Sequence, residues 1–407
     1  MKQNKKNKTR KFIQKLCIAT LMITISTAFH VNVAAQEEPQ DNTAKEYQKY
    51  MQSFNAIDTL DDIIAQNYEI VEKHVFDIPL VTKSTERDEE GELIDTEVTR
   101  PADIHQISSE DAVVLQSVPT VRFITAIDKQ YHRAAVFLAD QNGKIVYKTN
   151  MLECNYTIKG SIAQPIVDMV SVAFADMNHD GLMDIILIAG CVNDSGNYAG
   201  KMYKVGEVLF QQKDHVYFYR DWRINDKLNR FDMNKSAKCI ISFVRDGHST
   251  EFLYTATTEQ ELINSGFRVI EEQSYWRTYE KLGKLKVLPG VFSMADYDIL
   301  MIYMINTEGN IVWCFQPMGD MDNLYSLKGI SGKDMDGDGM KDLVVWALYS
   351  KEGDHGELLL ENHCSVYYQR TGGFDTDTDF VEHYQFTGGE NMEMLLSAIR
   401  AYWGWSE

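Results

Sequence analysis

Two stretches, Asp176-Met-Asn178-His-Asp180-Gly181-Leu-Met-Asp184 and Asp334-Met-Asp336-Gly-Asp338-Gly339-Met-Lys-Asp342, share the pattern Asp-x-[Asp/Asn]-x-Asp-Gly-x-x-Asp. Each runs without a break into bulky apolar residues, Ile185-Ile-Leu-Ile and Leu343-Val-Val-Trp. Oxygen-bearing side chains on alternate residues of a tightly wound loop can converge on one centre, and the glycine permits the sharp turn that brings them together. An apolar run rich in β-branched side chains reads as a strand buried on both faces. Each stretch therefore delivers the chain from an acidic turn into the interior of a sheet, and it does so twice.

Other landmarks repeat in the same order. Ile63 to Phe76 matches Leu262 to Tyr275 at an offset of 199, each reading as a helix end, a turn and a strand. Apolar strands around Asn142-Gly143 recur around Glu308-Gly309 at an offset of 166, a good hairpin signal. The acidic loops are offset by 158, and Gly206-Glu-Val-Leu-Phe with Val216-Tyr-Phe-Tyr recurs as Gly356-Glu-Leu-Leu-Leu with Val366-Tyr-Tyr-Gln at 150. An ordered series of this kind indicates an internal duplication, with copies at 36–235 and 236–407. The first copy is longer, largely through a charged stretch at 83–103 that reads as a mobile acidic insertion on the surface. The expected class is mainly β, a β-propeller-like repeat architecture with a few short helices, one of them near 391–403. Two tandem smaller β-rich domains are the alternative.

Residues 1–35 are set aside from the fold as a signal peptide. Seven basic residues and no acid stand in the first 15, Leu16 to Phe29 is uncharged and mostly apolar, and Val33 and Ala35 offer small side chains before Gln36. The apolar run is shorter than the roughly 20 residues that span a bilayer, so no stable membrane insertion is expected after cleavage. Without the signal, 33 of the 40 Lys and Arg remain against 60 Asp and Glu, so the formal charge is 33 − 60 = −27. Such a surface repels nucleic acid and anionic lipid and favours cations. Cys154, Cys191, Cys239, Cys314 and Cys364 form an odd, sparse set with room for at most two bridges, and none has zinc-ligand spacing.

Calcium takes six to eight oxygens, and the loops offer that donor type alone. The expected ligands are Asp176, Asn178, Asp180 and Asp184 with the carbonyl of Leu182, and Asp334, Asp336, Asp338 and Asp342 with the carbonyl of Met340, for about two Ca2+ ions. A helix-flanked calcium hand needs Glu at loop position twelve, where this chain has Leu187 and Val345. With their flanks, Val172-Ala-Phe-Ala before the first loop and Leu343-Val-Val after the second, the stretches resemble FG-GAP/VCBS-type repeats. That resemblance implies calcium loops joining strands of propeller blades, as in integrin alpha chains. The family's Phe-Gly and Gly-Ala-Pro signatures are absent here. Asp375-Thr-Asp377-Thr-Asp379 also alternates carboxylates, but it lacks the glycine and reads as a solvated acidic loop.

No Gly-x-Ser-x-Gly elbow, His-Glu-x-x-His pair or phosphate-cradling glycine loop occurs. The pairs Tyr275-Trp276 and Trp403/Trp405 read as core closure before sugar stacking. The chain is expected to be a secreted, extracellular calcium-binding protein in which the ions are structural. It would act as a binding, adhesion or cell-envelope interaction module for an unknown protein or carbohydrate ligand at the cell surface, with cell-wall association as a variant and no nucleic acid. The alternatives are a secreted carbohydrate-active hydrolase, since 60 acids supply many carboxylate pairs, and a purely structural envelope component.

Overall fold

The computed structural model describes residues 40–80, 120–150, 162–193, 199–212, 216–319, 321–352, 358–377 and 379–405, with four short strands between 85 and 115. The expected signal at 1–35 and Cys154 lie outside the described residues. The chain divides into two compact units, Met1–Ser53 with Ile158–Ile162, and Phe54–Thr157 with Ala163–Glu407. Of the first unit, the main feature described is most of helix α1 (Gln40–Asn55). All four large sheets belong to the second.

The second unit is mainly β. After helix α2 (Leu60–Ala65), strands β1 (Tyr68–Ile70) and β2 (Phe76–Pro79) flank a short 3-10 turn. In the stretch expected to be a mobile acidic insertion, 83–103, β3 (Thr85–Arg87) pairs with β4 (Leu93–Asp95), and β5 (Val98–Thr99) pairs with β6 (Val114–Leu115), which follows that stretch. Strands β7 (Thr120–Asp128), β8 (Ala134–Ala139) and β9 (Ile145–Thr149) complete sheet one, in which β1 and β2 share one edge of β7. Sheet two is the antiparallel meander β10 (Ile166–Ala175), β11 (Asp184–Val192), β12 (Met202–Gln211) and β13 (Phe218–Tyr219).

A helical insert follows, with α3 (Trp222–Arg230), α4 (Ala237–Val244) and α5 (Phe252–Thr255). Then the order recurs. Helix α6 (Glu259–Asn264) leads to β14 (Arg268–Val269), a 3-10 turn, β15 (Tyr275–Tyr279), β16 (Gly283–Met294), β17 (Tyr297–Ile305) and β18 (Ile311–Phe315), which form sheet three. Sheet four is β19 (Asn323–Ser331), β20 (Leu343–Glu352), β21 (Leu358–Arg370) and β22 (Gly373–Thr376), closed by helices α7 (Asp379–His383) and α8 (Met392–Tyr402).

The repeat extends to single contacts. The isolated bridge Thr59↔Lys144 has its counterpart in Thr258↔Asn310. The carboxylates of Asp62 and Glu261 reach back to the amides of Thr59 and Thr257 at the start of the two equivalent helices. One landmark shifts. Ile185 pairs with Leu209 and Leu343 with Tyr367, so Gly206 corresponds to Cys364 and not to Gly356. The two alignments differ by eight residues, an even number that preserves every inward and outward face, so alternation alone does not separate them.

Packing follows the faces. Phe123, Val136 and Leu138 of sheet one meet Ile185, Leu187 and Leu209 of sheet two. The other face of sheet two, Ile186, Ile188 and Val208, packs on Leu228 and Ile240 of the helical insert, in a core that continues to Leu288, Leu300 and Tyr303 of sheet three. Leu285 and Ile302 then meet Leu343 and Val345 of sheet four, whose far face is covered by Phe380, Leu395 and Ile399. The apolar runs after the acidic loops are thus buried on both sides. Because one core crosses the helical insert, the two copies are not separate domains.

Strand β12 is longer than its neighbour β13, and helix α3 finishes its edge. Asn225 accepts from the Val208 amide at 3.2 Å, and Asn229 both accepts from and donates to Gly206, at 2.7 and 2.9 Å. Side-chain amides here stand in for a strand along part of the edge that β13 leaves uncovered.

Gly290 in β16 marks a close approach in the core. A Cβ there would lie 2.5 Å from the carbonyl oxygen of Arg268 and 2.5 Å from the ring of buried Phe267. Gly290→Ala is expected to cost about 1–3 kcal/mol, seen as a lower urea midpoint at unchanged slope.

Cys239, Cys314 and Cys364 are free thiols, of which Cys314 alone is exposed. Among the described residues no helix is long and apolar enough to cross a membrane.

Candidate metal centre

The two acidic stretches fold alike, joining β10 to β11 and β19 to β20. Their last aspartates anchor them. Asp184 is fully buried and accepts from the amides of Met177 and Gln211, both at 2.8 Å. Asp342, equally buried, accepts from Met335 at 2.7 Å and Gln369 at 2.9 Å. Each carboxylate ties the start of its own loop to the end of the third strand in its sheet. Burial pushes both carboxyls up to about 7, against the pull of those amide donors.

The other oxygens organise the turn. Asp176 accepts from Asp180 at 3.1 Å and Gly181 at 2.7 Å, and Asp180 accepts from Leu182 at 2.8 Å. In the second loop Asp334 accepts from Gly337 and Gly339, each at 2.8 Å, and Asp338 from Met340 at 2.8 Å. Gly181 and Gly339 take left-handed φ of 77° and 82°, as the motif requires. The fourth position is left-handed too, at Gly337 (79°) and at His179 (59°), a demand the pattern did not reveal.

Carboxylate oxygens of Asp334, Asp336 and Asp338 all lie within 4.8 Å of one another. In the first loop the middle position is Asn178, whose amide donates to Asp180 at 3.0 Å. The ninth-position aspartates Asp184 and Asp342 are fully buried, whereas the alternating ones are partly buried or exposed. Three carboxylates and hard oxygen donors throughout suit a calcium-like ion better than a sulfur- or nitrogen-seeking metal.

Several neighbours escaped the sequence reading. Arg370 enters the second loop, with Nη2 2.8 Å from Asp336, Nη1 3.2 Å from Asp338 and Nε 3.6 Å from Asp375. Trp405 donates to the Met335 carbonyl at 2.8 Å and lays its ring on Gly337. Arg400 donates to the Asp334 carbonyl at 3.3 Å. Lys341 pairs with Glu280, whose carboxyl is somewhat desolvated yet held down to about 2, chiefly by that lysine. The one legible signal was a glutamine 27 residues after each ninth-position aspartate, Gln211 and Gln369.

The run at 375–379 does not converge on a centre. Asp377 caps α7 through the Phe380 amide at 2.8 Å and takes the Tyr368 hydroxyl, while Asp379 starts the helix. Trp403 donates to that same hydroxyl at 2.8 Å but is 45% exposed, and Trp276 is 47% exposed, so neither closes the core as expected.

Neither a protein-family model nor a curated protein matches this chain.

Proposed function

We propose that the protein is an extracellular calcium-binding β-repeat module. In this reading ions held by the two acidic loops stiffen the joins between β10 and β11 and between β19 and β20, and the acidic surface around them engages a protein or carbohydrate partner outside the cell. One observation carries it: the same alternating oxygens recur at the same joint of two equivalent sheets, anchored by the same buried aspartate. Calcium would supply positive charge where carboxylates crowd, and its flexible coordination tolerates a side-chain amide in one loop and a third carboxylate in the other. The resemblance of the loops to FG-GAP/VCBS-type repeats supports the reading, and sheets two and four are four-stranded antiparallel meanders of the kind that make up blades.

Calorimetric titration of the chain with calcium chloride tests it. Two binding events are expected, with Asp180→Ala abolishing one and Asp338→Ala the other. Absence of any binding in the unmodified protein would remove the calcium reading.

A further inference from the structure

The two loops share a pattern yet draw their positive charge from different places. Gln211 and Gln369 fix the correspondence, because the main-chain amide of each donates to the ninth-position carboxylate. The next residue is therefore Gln212 in one copy and Arg370 in the other. The third motif position differs in step, Asn178 against Asp336. The copy with the additional carboxylate is the copy with the guanidinium. The motif carries three aspartates in the first loop and four in the second, and the lysine within the second loop, Lys341, is already paired with Glu280.

Arg370 is built into its place. Besides Asp336 and Asp338, it reaches Asp375 at 3.6 Å, and its guanidinium lies 5.3 Å from the centre of the Tyr368 ring. Strand register shows that Asp375 is also specific to this copy. Gln369 faces Phe374 as Gln211 faces Phe218, so the position of Asp375 is held by Tyr219 in the first copy. Among the described residues no basic side chain pairs with Asp176 or Asp180.

We infer that Arg370 is the built-in counter-cation of the second loop, so that the two loops take a divalent cation unequally. The first binds it directly. The second binds it only when the guanidinium gives up Asp336 and Asp338, and it keeps its turn without an ion because Arg370 already bridges the carboxylates. This rests on the calcium reading of the loops. A fixed positive charge a few ångströms from the centre repels an incoming cation and must be displaced, so its removal should tighten binding roughly tenfold or more.

The test is calcium titration of the chain in two backgrounds, Asp180→Ala to isolate the second loop and Asp338→Ala to isolate the first. The second loop should bind more weakly than the first. Adding Arg370→Gln, the residue type found at 212, should tighten the second loop roughly tenfold, whereas Arg370→Lys should leave it weak. An Arg370→Gln variant that binds no more tightly than its parent overturns the inference. Melting in chelator separates this from the calcium reading. If no variant binds calcium, yet Arg370→Gln melts lower than the unmodified chain and Arg370→Lys recovers the loss, the calcium reading fails and the counter-cation role stands. If Arg370→Gln alters neither binding nor melting, Arg370 is only a surface pair.

Discussion

Replacing Asp342 with alanine should destabilise the protein by roughly 2–5 kcal/mol, as should Asp184→Ala, far more than loss of the exposed carboxylate of Asp338. The reason lies in what each carboxylate touches. Both oxygens of Asp342 are taken by backbone amides, one from Met335 in the loop and one from Gln369 at the end of β21. Alanine leaves two buried N–H groups without an acceptor, and an orphaned buried donor costs about 1–3 kcal/mol. Asn at the same position keeps one acceptor oxygen but presents an NH2 group to the second amide, so Asp342→Asn should fall between alanine and the parent. Asp338 is exposed and gives up one backbone contact and part of an ion pair, so Asp338→Ala in chelator should cost about 1 kcal/mol or less. Urea denaturation in chelator separates these values from any effect of ions. An Asp342→Ala chain within about 0.5 kcal/mol of the parent would mean that the buried carboxylate does not hold the loop to the sheet.

This asymmetry explains what could be read from the chain and what could not. The mainly β class, the strands behind each loop and the repeated start at Ile63 and Leu262 follow from local pattern, because burial on one or two faces imprints a period on the residues themselves. The loops were legible for the same reason: a turn that needs left-handed backbone beside several acceptors favours Gly, Asp and Asn, with His179 the exception. The helical insert between the copies was not foreseen, although α3 is amphipathic, is capped by Asp221 and buries Leu228, while the bonds of Asn225 and Asn229 to the edge of β12 leave no trace in helix periodicity. Arg370, Trp405 and Arg400 reach the second loop from 28 or more residues away, through strand pairing and the packing of the terminal helix, and nothing near them in the chain announces it. The misplaced alignment of Gly206 has a similar origin, because β21 is extended at its start and period-two alternation fits at any even shift.

Calcium should raise the melting temperature by several degrees, the largest reversible change of stability expected for this chain. An ion that binds the native state alone stabilises it by RT ln(1 + [L]/Kd), about 2.7 kcal/mol per site at a hundredfold excess over Kd. Selectivity for the native state is built into the donor set. The oxygens of Asp334, Asp336 and Asp338 meet only because Gly337 and Gly339 curl the loop and Asp342 pins it, and an extended chain disperses them. The unequal loops shape the response. At low calcium the rise should come from the first loop, so Asp180→Ala should flatten it. At higher calcium a second rise should appear, and Asp338→Ala should remove that one alone. Magnesium, which demands near-ideal octahedral geometry and sheds water reluctantly, should reproduce little of either step. A melt that is identical in calcium and chelator for the unmodified chain would leave the loops as turns held by their own hydrogen bonds, with Arg370 bridging the carboxylates of Asp336 and Asp338 in the second.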